Sequence, residues 1–343
     1  MPGRYAPHGR GRALNARSIL LLCGILLAAV IGGSLLMQAD ESVVEHSEEA
    51  LEQEKAELSE EVLIGGVPCV PKKNLYSFLF MGIDNTASQG ENYVTGGQCD
   101  TLILLVVDHT HMTYRRLPIN RDTMCEVHSY SMDWKDLGTS VCQIALAHSA
   151  GDGGSRSCEN AVRAVSDFLY GAEIDNYIAL NMEAIPVINQ LAGGVTVTIE
   201  DDFSKYDPSL EMGATIKLDD KQANHYLRGR MKVGSGTNEE RMRRQNTYLD
   251  AMRGEIVARV KTNPGFASDI YEALKPYMVT NLDGRAFSRL VNALTDCEPL
   301  ETLSISGTVG VDSYGFSAFE ADEESVQDAA IELFYRREDD SEG

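Results

Sequence analysis

Short apolar runs alternate with amphipathic stretches along most of the chain beyond residue 74. The runs at 75–81 and 102–107 have the length and continuity of buried strands, and 113–119 suits a hairpin partner for the second. The further elements predicted in this way are helices at 138–150 and 159–169, a strand at 177–180, a helix at 182–191, a strand at 195–199, and helices at 219–226, 238–260, 284–294 and 323–336. This alternation predicts an α/β fold with a mixed central sheet sandwiched by helices.

The N-terminal segment has the pattern of a membrane anchor. Residues 18–37 carry no charged side chain, and the run is long enough to cross a bilayer as a helix. Arginines and no acids precede it, so the positive-inside rule places residues 1–17 in the cytoplasm and the large domain outside the cell. We predict an uncleaved transmembrane signal anchor at 18–38. A cleaved signal peptide, with the small residues 32–34 near its cleavage site, is the alternative.

Polar segments flank the main domain on both sides. Residues 39–73 are predicted to be an acidic stalk and linker. Glutamates dominate 40–61, where apolar residues recur every seventh position, which favours a solvated helix, with disorder as the alternative. Glycines and prolines at 64–73 are typical of a linker. The main domain then covers 74–310, and a C-terminal strand and helix with an acidic tail cover 311–343.

The net charge of -22 narrows the range of partners. An acidic surface repels the phosphate backbone of nucleic acids, so we expect no nucleic-acid partner.

Cysteines outside the predicted anchor raise the question of disulfides. None of them has C-x-x-C spacing, which argues against a zinc site. An external domain faces a compartment in which disulfides persist. Cys142 and Cys158 lie in or beside two predicted helices joined by the glycine-rich loop 151–155. We therefore predict that these two residues pair, with two buried free thiols as the alternative.

Charged residues stand where three predicted strands begin or end, and strand ends are where α/β sheets build their sites. Asp84 follows the first strand, Asp100 precedes the second, and Arg121 and Asp122 follow the hairpin. If the first two strands are neighbours, Asp84 and Asp100 can converge on Mg²⁺, which takes one or two carboxylates together with phosphate oxygens of a substrate. Each aspartate taken alone also suits a loop or cap position.

A basic cluster lies further along the chain, in a strongly acidic protein. Its members are Arg228, Arg230, Arg241, Arg243 and Arg244, followed by Gln245. Asp219 and Gln222 form a capping box that starts the helix before Arg228, and Asn238 can cap the next helix. Arginine forks and helix N-termini both favour phosphate, so we predict an anion site. Pairing with surface acids is the alternative for any one of these arginines.

Six motifs follow one another in a recognisable order. They are GIDN at 82–85, CDTLILLVV at 99–107, NRDT at 120–123, LAGGVTV at 191–197, LDDKQANHYLRGR at 218–230 and RMRRQ at 241–245. Each motif alone is weak evidence, but the set in this order and spacing resembles the LytR-CpsA-Psr proteins of bacterial envelopes. The resemblance covers roughly residues 75–307, and a single basic-flanked span ahead of the domain also resembles that family.

The resemblance implies a transferase. Such an enzyme takes a glycopolymer, for example a teichoic acid or a capsule, from an undecaprenyl-pyrophosphate carrier and joins it through a phosphodiester to peptidoglycan. Domain 74–310 would be catalytic, and the lipid tail would lie in an apolar channel between sheet and helices. Asp84 and Asp100 would hold Mg²⁺, and Arg121 and Asp122 would be catalytic, with Asp122 as the candidate general base. The side chains that would hold the pyrophosphate are Arg121, Arg228, Arg230, Arg241 and Gln245.

Several positions depart from the family pattern. Gln98 stands where an arginine is common, Cys99 replaces a serine, Asn120 replaces a proline, and Asn238 stands where an aspartate is common. The two acids and the arginines of the predicted site remain. A lipid pyrophosphatase is one alternative to the transferase, and the change at Gln98 makes a non-catalytic envelope polymer-binding protein a second alternative. A transcription regulator is disfavoured by the predicted topology and by the acidic charge.

Overall fold

The structure is a computed structural model of the 343-residue chain. It describes residues 62–84, 97–131, 133–263 and 265–337. The predictions for the tail at 1–17, the anchor at 18–38 and the stalk fall outside these residues. Within the described ranges, no helix is both long enough and apolar enough to span a membrane.

A six-stranded mixed sheet forms the centre of the fold. The strands of the chain are β1 (Val62–Ile64), β2 (Val67–Pro71), β3 (Leu75–Ile83), β4 (Cys99–Asp108), β5 (Thr113–Ile119), β6 (Met124–Tyr130), β7 (Asp136–Gln143), β8 (Asn176–Asn181), β9 (Thr196–Thr198), β10 (Thr215–Lys217), β11 (Met278–Thr280), β12 (Glu298–Pro299), β13 (Gly307–Val311), β14 (Ser317–Ala321) and β15 (Tyr335–Arg337). The central sheet has the order β11-β8-β3-β4-β5-β12. β4 pairs antiparallel with both β3 and β5, whereas β8 runs parallel to β3.

Helices cover both faces of this sheet, as the alternation of elements predicts. They are α1 (Leu146–Ser149), α2 (Ser155–Phe168), α3 (Ala184–Ala192), α4 (Asp220–Arg228), α5 (Asn238–Thr262), α6 (Phe266–Leu274), α7 (Gly284–Asp296) and α8 (Glu323–Phe334). Successive strand residues face opposite ways. Leu79 accordingly packs with α2 and α8 on one face, and Phe78 packs with α6 and α7 on the other. The mixed α/β sandwich predicted from the sequence is therefore confirmed.

The predicted helix at 138–150 is largely wrong. Residues up to Gln143 form β7, which pairs antiparallel with β6, and only the short α1 follows. Thr139 and Val141 are β-branched, which favours a strand over a helix.

The predicted linker at 64–73 also contains regular structure. β1 and β2 form a hairpin, and β15 near the C-terminus pairs with β2. Gly65 and Gly66 form the two-residue turn, with φ values of 55° and 87°. A Gly-Gly pair between short apolar runs is a hairpin signal because the favoured turns need positive φ at the central residues.

The predicted disulfide between Cys142 and Cys158 is wrong. Both are free cysteines. Cys142 lies on β7, where its register partner is Cys125. Cys158 lies on α2 and is fully buried in the core beside the sheet. The strand that replaces the predicted helix thus turns Cys142 toward a different neighbour.

Candidate functional site

Asp100 owes its position to a β-bulge. In the β3–β4 ladder Gly82 pairs with Thr101 but Ile83 pairs with Cys99, so Asp100 is the additional residue between the two pairs. Bulges re-aim a side chain and are common beside functional sites. Next to the bulge, the Asp84 amide donates to the Gln98 carbonyl at 3.0 Å. The end of β3 and the start of β4 thus bring Asp84 and Asp100 to one edge of the sheet.

Arg121 lies in a tight turn after β5. The Thr123 amide and hydroxyl both donate to the Asn120 carbonyl, at 3.0 and 2.7 Å, and close the turn. The Arg121 guanidinium pairs with the Asp100 carboxylate and donates to Gln98 Oε1 at 2.5 Å. Gln98, where the family pattern has an arginine, is therefore an acceptor for Arg121.

Arg241 approaches Asp100 from the first turn of α5. Thr237 caps this helix by accepting from the Glu240 amide, so the prediction that Asn238 is the cap is wrong by one residue. Arg241 donates to the Asp100 carboxylate and to the Asp100 carbonyl, each at 3.1 Å. Burial lowers the pKa of Arg241, and the neighbouring Asp100 opposes that shift. One helical turn later, Gln245 donates to Thr101 Oγ1 at 2.9 Å.

Arg228 and Arg230 come from the end of α4, whose predicted capping box at Asp219 and Gln222 is confirmed. Arg228 is the last residue of that helix and lies 3.5 Å from Asp84 Oδ1. Arg230 lies 3.7 Å from Asp122 Oδ2. The structure therefore brings together the residues that the family resemblance placed at the pyrophosphate, namely Arg121, Arg228, Arg230, Arg241 and Gln245.

Arg243 and Arg244 do not belong to this group. Arg244 is buried and holds Asp201 together with the carbonyls of Tyr226 and Gly229. Arg243 is half exposed and pairs with Glu200 and Asp201. Arg244 thus fixes the turn between Arg228 and Arg230, and Arg243 lies on the outer side of the helix.

Asp122 is buried beside these cations. Its side chain is 8% exposed, and Arg121 Nε lies 3.3 Å from its Oδ1. Gln143 Nε2 donates to the same oxygen at 3.2 Å. The Asp122 amide donates to Asn120 Oδ1 at 3.0 Å. Gln143 lies on a strand that the sequence predicted to be a helix, so its role at the site had no signal in the local pattern.

Two of the departures from the family pattern contact each other directly. Asn238 Nδ2 donates to Asn120 Oδ1 at 2.7 Å, and Arg241 donates to Asn238 Oδ1 at the same distance. The pair joins the turn after β5 to the start of α5. It therefore connects the Asp122 amide, through Asn120, to the Arg241 guanidinium.

Unpartnered donors indicate the class of ligand that would complete the site. The buried Nε–H groups of Arg121, Arg230 and Arg241 have no hydrogen-bond partner in the structure. For Arg121 the 3.3 Å approach to Asp122 is an ion pair without hydrogen-bond geometry. Buried polar groups are nearly always satisfied, so three orphan donors at one place need an explanation. An anion with several oxygens, such as a pyrophosphate, would supply the missing acceptors.

The carboxylates fit a magnesium ion that is completed by its substrate. Asp84 and Asp100 lie at the ends of adjacent strands, and the Asp84 side chain is 54% exposed. Among the described residues, no group of three or more His, Cys, Asp or Glu side chains could hold a metal alone. Mg²⁺ commonly uses one or two carboxylates and completes its shell with phosphate oxygens and water.

One small space borders the anion site, and a larger cleft lies elsewhere on the fold. A space of about 10 Å³ lies between β4, β5 and α5, lined by Asp100, Met242 and Gln245. It cannot hold a polyprenyl chain, so the predicted lipid channel stays a prediction. A polar cleft of about 940 Å³ lies near α8 and β15. Its lining contains four basic and four acidic side chains, so the cleft has no excess of positive charge for a phosphate ligand.

The fold and the site together define an α/β protein with an arginine-rich anion site at the edge of a mixed sheet. The chain belongs to the LytR_cpsA_psr family, whose sequence model matches residues 34–334.

Individual relatives agree with this assignment. The chain is 26% identical over 307 residues to the polyisoprenyl-teichoic acid--peptidoglycan teichoic acid transferase TagV of Bacillus subtilis, covering 85% of this chain and 71% of TagV. The crystal structure of B. subtilis TagV superposes with a TM-score of 0.57 at 24% identity, over 76% of this chain and 98% of that one. Protein gbs0355 of Streptococcus agalactiae superposes with a TM-score of 0.63 at 20% identity, over 76% and 88% of the two chains. These two structures establish the similarity of fold.

Proposed function

We propose that this protein is a phosphotransferase that moves a glycopolymer from an undecaprenyl-pyrophosphate carrier to a hydroxyl group of peptidoglycan. The observation that carries the proposal is the set of buried, unpartnered Nε–H groups on Arg121, Arg230 and Arg241. Such donors match the oxygens of a pyrophosphate. The name of TagV, a teichoic acid transferase that acts on peptidoglycan, supports the same reaction class.

The charges of the site suit an anionic ligand, because its arginines outnumber its carboxylates. Among the described residues, Arg121, Arg228, Arg230 and Arg241 face the three carboxylates Asp84, Asp100 and Asp122. In the free protein each carboxylate neutralises an arginine. We propose that the pyrophosphate displaces part of this pairing and that the arginines then stabilise the charge that develops on the transferred phosphoryl group.

The proposed chemistry is a single displacement at phosphorus. The acceptor hydroxyl oxygen forms a bond to the phosphorus that carries the sugar. The bond from that phosphorus to the bridging oxygen breaks, and undecaprenyl phosphate leaves with the electron pair. Asp122 is the candidate that takes the hydroxyl proton, because its carboxylate lies beside Arg121 and Arg230 at the site. Mg²⁺ bound by Asp84 and Asp100 would neutralise negative charge on the pyrophosphate.

A panel of single variants tests this assignment. We expect Arg121→Ala, Arg228→Ala and Asp100→Ala each to lower transfer on the order of a hundredfold, because each removes a charged group that would stabilise the transition state. In the double variant Arg121→Ala/Arg228→Ala, the loss of transfer rate should be much smaller than the product of the two single losses. Groups that act together in catalysis have non-additive effects. Transfer of labelled lipid-linked glycan to peptidoglycan fragments measures all of them.

Arg243→Ala is the matched control. Arg243 lies on the same helix as Arg241 but pairs with Glu200 and Asp201. Its loss should leave transfer nearly unchanged, and thermal melts should show that all variants fold. Equal losses in Arg243→Ala and Arg228→Ala would contradict the assignment of the site.

A further inference from the structure

The hairpin formed by β13 and β14 ends in two aromatic side chains that face solvent. Tyr314 is 85% exposed and Phe316 is 65% exposed. Large exposed apolar side chains that cluster mark a surface on which something binds.

The end of this hairpin is internally braced. The Asp312 carboxylate accepts from the amides of Tyr314 and Phe316, at 2.9 and 2.8 Å. The Asp312 amide donates to the Phe316 carbonyl at 2.8 Å, and Gly315 takes up a φ of 84°. Because the backbone of the turn is held in this way, the two rings are presented to a ligand at a low cost in conformational entropy.

Hydrogen bonds attach the same hairpin to the anion site. Gln143 Nε2 donates both to Asp122 Oδ1 at 3.2 Å and to the Ser317 carbonyl at 2.5 Å. The Phe319 amide donates to the Asp122 carbonyl at 2.8 Å. Phe316 directly precedes Ser317 in the chain, so the backbone that carries its ring is joined through Gln143 to Asp122.

The order of the elements shows which flank of the site the hairpin occupies. Asp84, Asp100 and Asp122 follow one another along β3, β4 and β5, and Phe319 of β14 forms a bridge with Thr123 beyond Asp122. Arg228 lies at the opposite end of this row, against Asp84. The hairpin therefore borders the Asp122 flank, where the proposed base would receive the acceptor hydroxyl.

The charge of the hairpin favours some classes of ligand over others. Residues 307–321 contain Asp312 and Glu320 and neither lysine nor arginine. A membrane surface with anionic lipids attracts basic segments, and a phosphate-bearing polymer is repelled by carboxylates. An uncharged sugar ring has apolar C–H faces that pack on aromatic rings, which combine a large apolar body with adaptable contact geometry.

We propose that Tyr314 and Phe316 form the acceptor subsite, where the rings stack on sugars of a peptidoglycan glycan strand. This inference rests on the proposed transferase function. In this proposal the β13–β14 hairpin binds the acceptor, whereas the arginines of the anion site bind the lipid-linked donor.

The test uses the full-length protein and the double variant Tyr314→Ala/Phe316→Ala. Steady-state transfer is measured with varied acceptor fragments at fixed donor, and then with varied donor. The variant should raise the KM for the acceptor about tenfold, which corresponds to a loss of about 1.4 kcal/mol of binding. The KM for the donor should stay unchanged. The variant Tyr314→Trp/Phe316→Tyr, which keeps two rings, should restore acceptor binding.

Tyr76→Ala is the matched control. Tyr76 is 46% exposed and lies at the far end of β3 from Asp84, so its removal should change neither KM.

Equilibrium binding of acceptor fragments without donor separates this inference from the proposed function. Wild-type binding that the double variant loses supports the subsite even if no transfer occurs. The inference is overturned if the double variant binds the acceptor normally, if only the KM for the donor rises, or if the substitutions abolish self-association or binding to anionic vesicles instead.

Discussion

Residues that depart from the family pattern are coupled to one another at the centre of the site. Asn120 and Asn238 form a buried hydrogen bond, and Gln98 accepts from Arg121. A proline at position 120 would have no side-chain oxygen for Asn238, and an aspartate at 238 would have no N–H for Asn120. The two asparagines are therefore complementary as donor and acceptor. Asn238 in turn accepts a hydrogen bond from Arg241, and Gln98 accepts one from Arg121, so these residues help to hold the arginines of the site.

Asn120→Ala should lower the free energy of unfolding by about 1–3 kcal/mol, because it leaves a buried Asn238 donor and the Asp122 amide without their acceptor. A double-mutant cycle with Asn238→Ala should give a coupling of about 0.5–3 kcal/mol. Urea unfolding of the four proteins measures both quantities.

An exposed pair provides the comparison for this cycle. The hydroxyls of Thr198 and Thr215 are 2.8 Å apart at the surface. Thr198→Ala should change stability by less than about 0.5 kcal/mol, as surface substitutions usually do. If Asn120→Ala and Thr198→Ala lowered the free energy of unfolding equally, the hydrogen bond between Asn120 and Asn238 would not stabilise the fold more than a surface contact does.

At the scale of elements, α5 joins the anion site to the turn after α4. Arg241 contacts the start of β4, whereas Arg244 contacts the carbonyls of Tyr226 and Gly229. One helix thus positions arginines from two different segments, and its orientation determines how Arg228 and Arg230 face the sheet edge.

Arg244→Met should destabilise the protein by about 3–5 kcal/mol, because it leaves the buried Asp201 carboxylate short of its main partner. Arg243→Met removes a second, half-exposed partner of the same aspartate and should cost about 1 kcal/mol or less. Chemical unfolding of both variants makes this comparison. A larger loss in Arg243→Met would contradict the distinction between the two arginines.

His148 in α1 supports the loop that leads to Asp100. Its Nδ1 hydrogen-bonds to the Gly97 carbonyl at 2.8 Å, and its buried Nε2 has no partner. Burial lowers the pKa of His148 below its ordinary value, while the Gly97 hydrogen bond and Asp152 oppose the shift. A proton on Nε2 would be a buried donor without an acceptor.

The free energy of unfolding should therefore decrease as the pH is lowered. The unfolded chain binds the His148 proton more readily than the folded protein does, so stability is lost as the pH falls from about 6.5 through the lowered pKa. His148→Gln keeps a donor for Gly97 but does not titrate. Urea unfolding between about pH 7.5 and pH 5 should show the wild type losing stability relative to this variant. Parallel pH profiles would show that His148 does not contribute.

The sequence predicted the parts of the fold whose signals are local. The apolar runs located β3, β4 and β5, and the capping box located α4. The β6–β7 ribbon was missed, and the strand predicted within 311–343 was found as β14 but without its partner β13, since pairing between strands depends on tertiary neighbours that a local pattern does not contain.

The candidate site was predictable to the same extent. Strand ends and an arginine cluster indicated Asp84, Asp100 and Arg241. The contact between Asn120 and Asn238 joins residues 118 positions apart, and the bulge at Asp100 depends on the register of two strands. The role of Arg244 follows from what packs against α5, which helical periodicity does not specify.

At the scale of the whole molecule, the proposed function requires the described domain to face the peptidoglycan. The charge pattern around residues 18–38 predicts that topology. Alkaline phosphatase fused after Gly343 should be active in cells, because that enzyme matures only outside the cytoplasm. A stably expressed but inactive fusion would contradict the predicted orientation.

The central claim is that the anion site transfers a phosphoryl-linked glycan to an acceptor. The most direct measurement uses full-length protein, Mg²⁺, peptidoglycan fragments and a lipid-pyrophosphate glycan with radioactive phosphorus next to the sugar. We predict that the label enters the peptidoglycan fraction in a phosphodiester, and that Arg121→Ala abolishes most of this product. If the label is instead released as free glycan phosphate, at the same rate with and without the acceptor, the protein is a lipid pyrophosphatase. That result would contradict the proposed transfer.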